Sequence, residues 1–196
     1  MLLLLLLTLA ANVVPQLDGA IGADEWKGAQ QHALKGGGEV LLLQREKVLY
    51  VAVRGEKRGI ASLCVGDGNR VSVLHASAAL GTAEYAREGD AWRRRANFKY
   101  EVREAASDEA KAKHRGEWAW LANASRAGTP VREFAIELTP ERQFLAVAFV
   151  TFDGGDAIAY WPEGVRDDCA ALRLAQGWAE ETQTFAPATW YRVARR

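Results

Sequence analysis

The sequence has no surplus of either charge, since 25 Lys and Arg stand against 25 Asp and Glu. Nucleic-acid binders carry a basic excess that displaces phosphate counterions, so that class of partner lacks its main electrostatic support here. Cysteine is scarce, at two residues, with no CxxC pair or Cys/His cluster, which removes the usual structural zinc sites. Methionine occurs once, at position 1. No apolar run is long enough to cross a bilayer: Leu2–Leu7, Leu9, Ala10 and Ala11 fall short of the ~20 residues a spanning helix needs. The GxSxG, HExxH, P-loop and dinucleotide-binding glycine patterns are all missing, so no familiar catalytic signature is present.

What remains is a chain of 196 residues, 49% hydrophobic and 26% charged, sufficient for one domain with a substantial core. Residues 1–11 have the length and polarity of a signal peptide, with Thr8 and Ala10 at the small-residue positions of a cleavage site. No Lys or Arg precedes the leucines, and a start elsewhere or an ordinary buried strand are the competing readings. Removal of the leader would leave 12–196 as a single exported domain, periplasmic or secreted, with no membrane span. In an oxidising compartment Cys64 and Cys169 can form a disulfide; two separate buried thiols are the alternative.

Strand patterns dominate. Val40–Leu43 and Val48–Val53 flank a polar turn and predict a hairpin, and Ile60–Val65 returns through Gly66-Asp67-Gly68-Asn69 into Arg70–His75. Gly81–Tyr85 and Ala91–Arg103 predict another ribbon, with Phe98, Tyr100 and Val102 sharing one face. Ser107–Arg115 switches to helix, capped by Ser107 and stopped by Gly116. Val131–Leu138 alternates, and Phe144–Phe152, apolar on both faces, predicts a central strand returning at Ala157–Trp161. A short helix carrying Cys169, Leu172 and Ala175 inward follows Asp167 or Asp168 and ends at Gly177. Together these predict an all-β fold, an antiparallel β-sandwich of jelly-roll-like type with one or two short peripheral helices.

The opening is the most distinctive stretch: Leu17-Asp18-Gly19, then Asp24-Glu25-Trp26, then Val48-Leu49-Tyr50-Val51-Ala52-Val53. Asp18-Gly19 is turn chemistry, and Asp24 can cap a helical turn that carries Trp26 inward. In order and spacing this pattern resembles the start of family nine carbohydrate-binding modules and the related DOMON-like β-sandwiches. The resemblance covers roughly the first third of the chain. It implies a non-catalytic glycan-binding domain, with a glycan or sugar as partner. Related sandwiches often hold structural calcium, for which Asp67, Asp153 and Asp156 are the available carboxylates; ordinary turn stabilisation is the simpler role for them. Some DOMON-like domains bind haem through Met and His, which a single Met1 does not support. A bis-histidine site would need His75 with His32 or His114.

Seven tryptophans offer flat faces that match the apolar faces of a pyranose. Family nine modules hold a sugar end between two tryptophans, and neither of those aligns onto this chain. Position and chemistry therefore select the candidates. Trp118 and Trp120 share a face if Glu117–Trp120 is extended, Tyr160 and Trp161 close a strand beside Pro162, and Trp92 follows a tight turn. Sealing the ends of the sandwich is the alternative role for each. Trp26 is assigned to the core, and Trp178 and Trp190 to packing or clamping. Arg93-Arg94-Arg95 alternates faces and forms no patch; it suits a solvated edge that discourages strand addition. His75 could orient a ligand or act as a base, or be a hydrogen-bonded core histidine. Catalysis has no distinguishing carboxylate pair, so the chain is read as a non-enzyme. An envelope structural or interaction protein on the same fold is the first alternative, and a small glycan hydrolase the second.

Overall fold

Alternate positions along the strands of this chain point to the space between two layers, and most of the long strands are buried on their other face as well. The computed structural model describes residues 13–153 and 156–194, and the leader expected at 1–11 lies outside them. The strands are β1 (Gln30–Ala33), β2 (Glu39–Arg45), β3 (Val48–Gly66), β4 (Arg70–Ala76), β5 (Ala79–Glu88), β6 (Ala91–Ala96), β7 (Val102–Arg103), β8 (Trp120–Ala122), β9 (Thr129–Glu137), β10 (Phe144–Thr151), β11 (Ala157–Trp161), β12 (Thr182–Gln183) and β13 (Tyr191–Arg192). Helix α1 (Asp108–Trp118) lies between β7 and β8, and α2 (Leu172–Ala175) follows β11. All strand pairings are antiparallel.

One strand belongs to both sheets. The first half of β3, Val48–Arg54, runs between β2 and β9, whereas Gly59–Gly66 runs between β4 and β10. The register with β9 breaks between Arg54 and Gly59, where the strand turns from one layer to the other. Glycine is required at both ends of this bend. A Cβ on Gly55 would lie 2.2 Å from the Phe149 ring, and one on Gly59 would lie 2.1 Å from the Val150 carbonyl oxygen. The first layer is thus β1-β2-β3-β9-β8, and the second is β11-β10-β3-β4-β5-β6-β12, with β13 on β10 and β7 on β5.

Between the layers lie Val40, Leu42, Leu49, Val51, Val53, Phe134 and Ile136 from the first sheet, facing Leu63, Leu74, Leu80, Leu145, Val147 and Phe149 from the second. Arg132 continues the inner face of β9 to the end of the sandwich and is fully buried there. Its guanidinium donates to the carbonyls of Gly59, Ser77, Asn123 and Ser125, tying β3, the β4–β5 turn and the β8–β9 loop together. Burial lowers its pKa to about 10, so it stays charged at neutral pH and needs those acceptors.

Both outer faces are covered as well. The segment before β1 lays Leu17, Ile21 and Trp26 over Leu43, Tyr50, Ala52 and Ala135. Two donors of the opening motif converge on one carboxylate: Gly19 N–H reaches Glu133 Oε2 at 2.7 Å and Trp26 Nε1–H reaches Oε1 at 3.2 Å. On the other side, residues after β11 place Val165, Cys169, Leu174, Phe185 and Trp190 over Val71, Val73, Tyr85 and Trp92. The Cys64–Cys169 disulfide, whose cysteines are 105 positions apart in sequence, fastens that cover to β3. Covering on both sides is why β10 reads apolar on both faces.

Local expectations fail in three places. Residues 97–101 leave the strand pattern, so Phe98 and Tyr100 fold back over His75 instead of extending β6. Helix α1 passes through Gly116 and ends at Trp118, because Ala119 adopts the left-handed conformation, φ 55°, and Arg142 donates to the carbonyls of Trp118 and Ala119. The edge of β6 is partly paired: β12 pairs with Trp92 and Arg93, and Arg94 donates to the Ala179 carbonyl, while Arg93 and Arg95 stay exposed and bind Glu88.

Two stability tests follow from these covers. Replacing both Cys64 and Cys169 by alanine should cost about 4–5 kcal/mol in denaturant unfolding, the chain-entropy value for a loop of about 100 residues. Burial pushes the Glu133 carboxyl up to about 7, against the two hydrogen bonds that pull it down. The folded state therefore holds this proton more tightly than the unfolded one. Its contribution is full below about pH 4.5 and is lost as pH rises through about 7. Unfolding curves across that window should show wild type losing stability relative to Glu133→Gln as pH rises. Glu133→Ala, which strands two buried donors, should cost about 2–4 kcal/mol.

Candidate functional site

Of the seven tryptophans, five are buried, and four of these have the indole N–H satisfied. Trp26 donates to Glu133, Trp92 to the Phe185 carbonyl at 2.9 Å, Trp120 to Thr82 Oγ1 at 2.9 Å, and Trp190 to Asp167 Oδ2 at 2.7 Å. Two of the stacking candidates are thereby corrected. Trp92 lies under Phe185 and beside β12, and Trp120 is 0% exposed between the sheets, so neither presents a ring face to a ligand. Trp118 and Trp120 do not share a face either, because the left-handed Ala119 separates a helical residue from a strand residue.

The remaining candidates also depart from expectation. Trp161 is buried on the inner side of β11, with the rings of His32 and Tyr191 packed on it at 4.7 and 4.9 Å. Tyr160 is half-buried on the opposite side, with Lys35 Nζ 5.9 Å from its ring centroid. Trp118 is half-buried against the inter-sheet core. The expected residues are not gathered into one surface; they are distributed over both sheets and the helix end.

The exposed indole is Trp178, with 61% of its surface accessible. It follows the short α2 and the tight turn at Gly177, φ 88°. The turn is pinned from below. Tyr100 Oη–H donates to the Gly177 carbonyl at 3.2 Å, and Ser62 Oγ–H donates to the Ala175 carbonyl at 3.1 Å. Phe98 and Tyr100 stack with centroids 5.7 Å apart, and Tyr100 keeps 38% of its surface exposed. Arg173 places its guanidinium carbon 5.5 Å from the Trp178 centroid and binds Glu180 through Nε and Nη2 at 3.2 and 2.8 Å. Such a cation over the ring favours this orientation of the indole by about 0.5–1 kcal/mol.

His75 supports this platform from the core. Its Nδ1 lies 2.8 Å from Ser62 Oγ, and that hydroxyl's one proton goes to Ala175, so His75 must donate from Nδ1. Nε2 is then the bare nitrogen, facing Gly177, where a Cβ would lie 3.1 Å from it and 2.5 Å from Tyr100 Oη. Burial, helped by the Arg132 charge, lowers the His75 pKa to about 3, so the ring is neutral throughout the physiological range. With its hydroxyl engaged and its ring buried, the Ser62–His75 pair is a brace.

Elsewhere the polar groups serve turns and interfaces. Asp67 accepts from the amides of Asn69 and Arg70, Asp153 pairs with Arg58, and Asp156 accepts from Gln176. No group of three or more His, Cys, Asp or Glu side chains suited to a metal occurs among the described residues. The three histidines sit in separate places, against Trp161, under Phe98 and Tyr100, and against Trp120. A cleft of about 630 Å³ opens beside Ser72, Glu84 and Arg142, but Arg142 is spent on backbone carbonyls and Arg95 on Glu88. Trp178 went unselected because its local sequence does not differ from that of a packing residue; only the φ-positive Gly177 before it hinted at a projecting turn.

No protein-family model, no curated protein and no solved structure matches the chain.

The difference between used and free indoles is measurable. Trp178→Ala should change the unfolding free energy by less than about 0.5 kcal/mol. Trp120→Ala, which empties a buried site and strands Thr82, should lose about 3–5 kcal/mol.

Proposed function

We propose that this chain is a non-catalytic glycan-binding domain of an exported protein, with the sugar ring stacked on Trp178 beside Tyr100. The observation that carries the proposal is the 61% exposure of an indole that follows a turn held by two hydrogen bonds. A rigid ring loses little entropy on binding, and its flat apolar face suits the C–H face of a pyranose. Arg173 and its ion-pair partner Glu180 supply donors and acceptors for hydroxyl groups beside it. The resemblance of the opening pattern to family nine modules supports the same class of ligand. Export is supported by the buried Cys64–Cys169 bridge, since such bonds persist in oxidising compartments.

A glycan array on the purified protein, followed by calorimetric titration of its hits, tests the proposal. Trp178→Ala should weaken binding at least about tenfold, roughly one stacked ring's worth of free energy, at an unchanged thermal midpoint. A folded wild-type protein inert to the whole array would reduce it to a scaffold. Equal binding by Trp178→Ala would move the site elsewhere. Release of cleaved product from the same panel would replace a binding function by a hydrolytic one.

A further inference from the structure

A helix with almost no apolar face must be held by something other than extensive hydrophobic burial. Along α1 one residue is buried, His114, at 2% exposure. Its ring stands at 76° to that of Trp120, with centroids 4.9 Å apart. Both Nδ1 and Nε2 are buried, and neither has a hydrogen-bond partner among the described residues. The other attachments lie at the two ends of the helix. Ser107 caps the first turn, Arg115 pairs with Glu137 at 3.1 Å, and Arg142 holds the carbonyls of Trp118 and Ala119.

A neutral imidazole fits this place as a flat, weakly polar ring. An imidazolium would bring a buried charge and two N–H donors with no acceptor. We propose that α1 is an acid-released element, in which protonation of His114 detaches the middle of the helix from Trp120. Charges on the packed elements are Glu101 and Arg103 around β7, Glu137 on β9 within its ion pair, Arg142 at the helix end, and Glu117 on the helix itself; β8 has none. Glu101 and Glu117 favour the protonated ring, and burial outweighs them, holding His114 below its ordinary value of 6.5. The detached helix therefore binds the proton more readily than the docked one. Docking is at full strength above about pH 6.5 and weakens as pH falls below it. Release also removes one wall of a cavity of about 600 Å³, which Ala106 and Ala110 share with Ala78, Glu101 and Arg126.

Hydrogen–deuterium exchange of the full chain at pH 7.5 and pH 5.0, corrected for intrinsic rates, reads the helix against the central strand β10. In wild type the 108–118 peptide should lose severalfold more protection than 144–151 on acidification. His114→Phe should abolish that difference while leaving β10 unchanged. Protection of the helix that tracks β10 at both pH values, or an equal loss in His114→Phe, would overturn the proposal. Should His114→Phe fail to fold, NMR titration of the wild-type His114 Cε1–H decides: a midpoint clearly below 6.5 is expected, and one at or above it sinks the idea.

Discussion

A single shared strand is the constraint on which this architecture rests. Because β3 lies between β2 and β9 and then between β4 and β10, the two sheets cannot slide or separate without unpairing it. The turn between its halves is possible only where backbone can approach Phe149 and Val150 closely, and glycine at 55 and 59 allows that approach. Strict alternation through the bend keeps Val51, Val53, Leu63 and Val65 on the same interior. A side chain at either glycine would force the layers apart at the point where they are joined.

Covering both outer faces creates a second demand, because buried backbone and indole groups must then find partners. Four tryptophans are satisfied by a carboxylate, a hydroxyl, a carbonyl and a second carboxylate, each from a different element. Those bonds orient the covers as well as satisfying the ring. Glu133 holds the opening motif to the first sheet, and Asp167 holds Trp190 while capping the turn that carries Cys169. The opening motif is thus, in its local contacts, a device for sealing one face. The exposed Trp178 lies on the opposite cover, which Ser62 and His75 of the sheet beneath and the neighbouring Tyr100 support.

Much of the strand framework was legible because burial on one or both faces leaves a period of two or a continuous apolar run. The hairpin across Arg45-Glu46-Lys47, the turn at Gly66–Asn69, the central β10 and the Ser107 cap follow from such patterns. The helix stop did not follow, since Gly116 is tolerated when Arg142, from a distant loop, satisfies the carbonyls two residues later. Phe98 and Tyr100 have strand alternation but lie outside a strand, because stacking over His75 competes with edge pairing there. The aromatic candidates could not be ranked locally: a tryptophan beside a turn looks the same whether a cover lies over it or not.

Composition and periodicity alone determined the fold class, the order of most strands and the identity of many inward-facing residues. They could do so because each of those properties is set by the spacing of apolar side chains along a few consecutive residues. Tertiary structure decided that Cys64 meets Cys169, that Trp92, Trp120 and Trp161 are interior, and that Trp178 is left outside. Exposure of a ring depends on what the distant ends of the chain lay over it, and no local pattern carries that information.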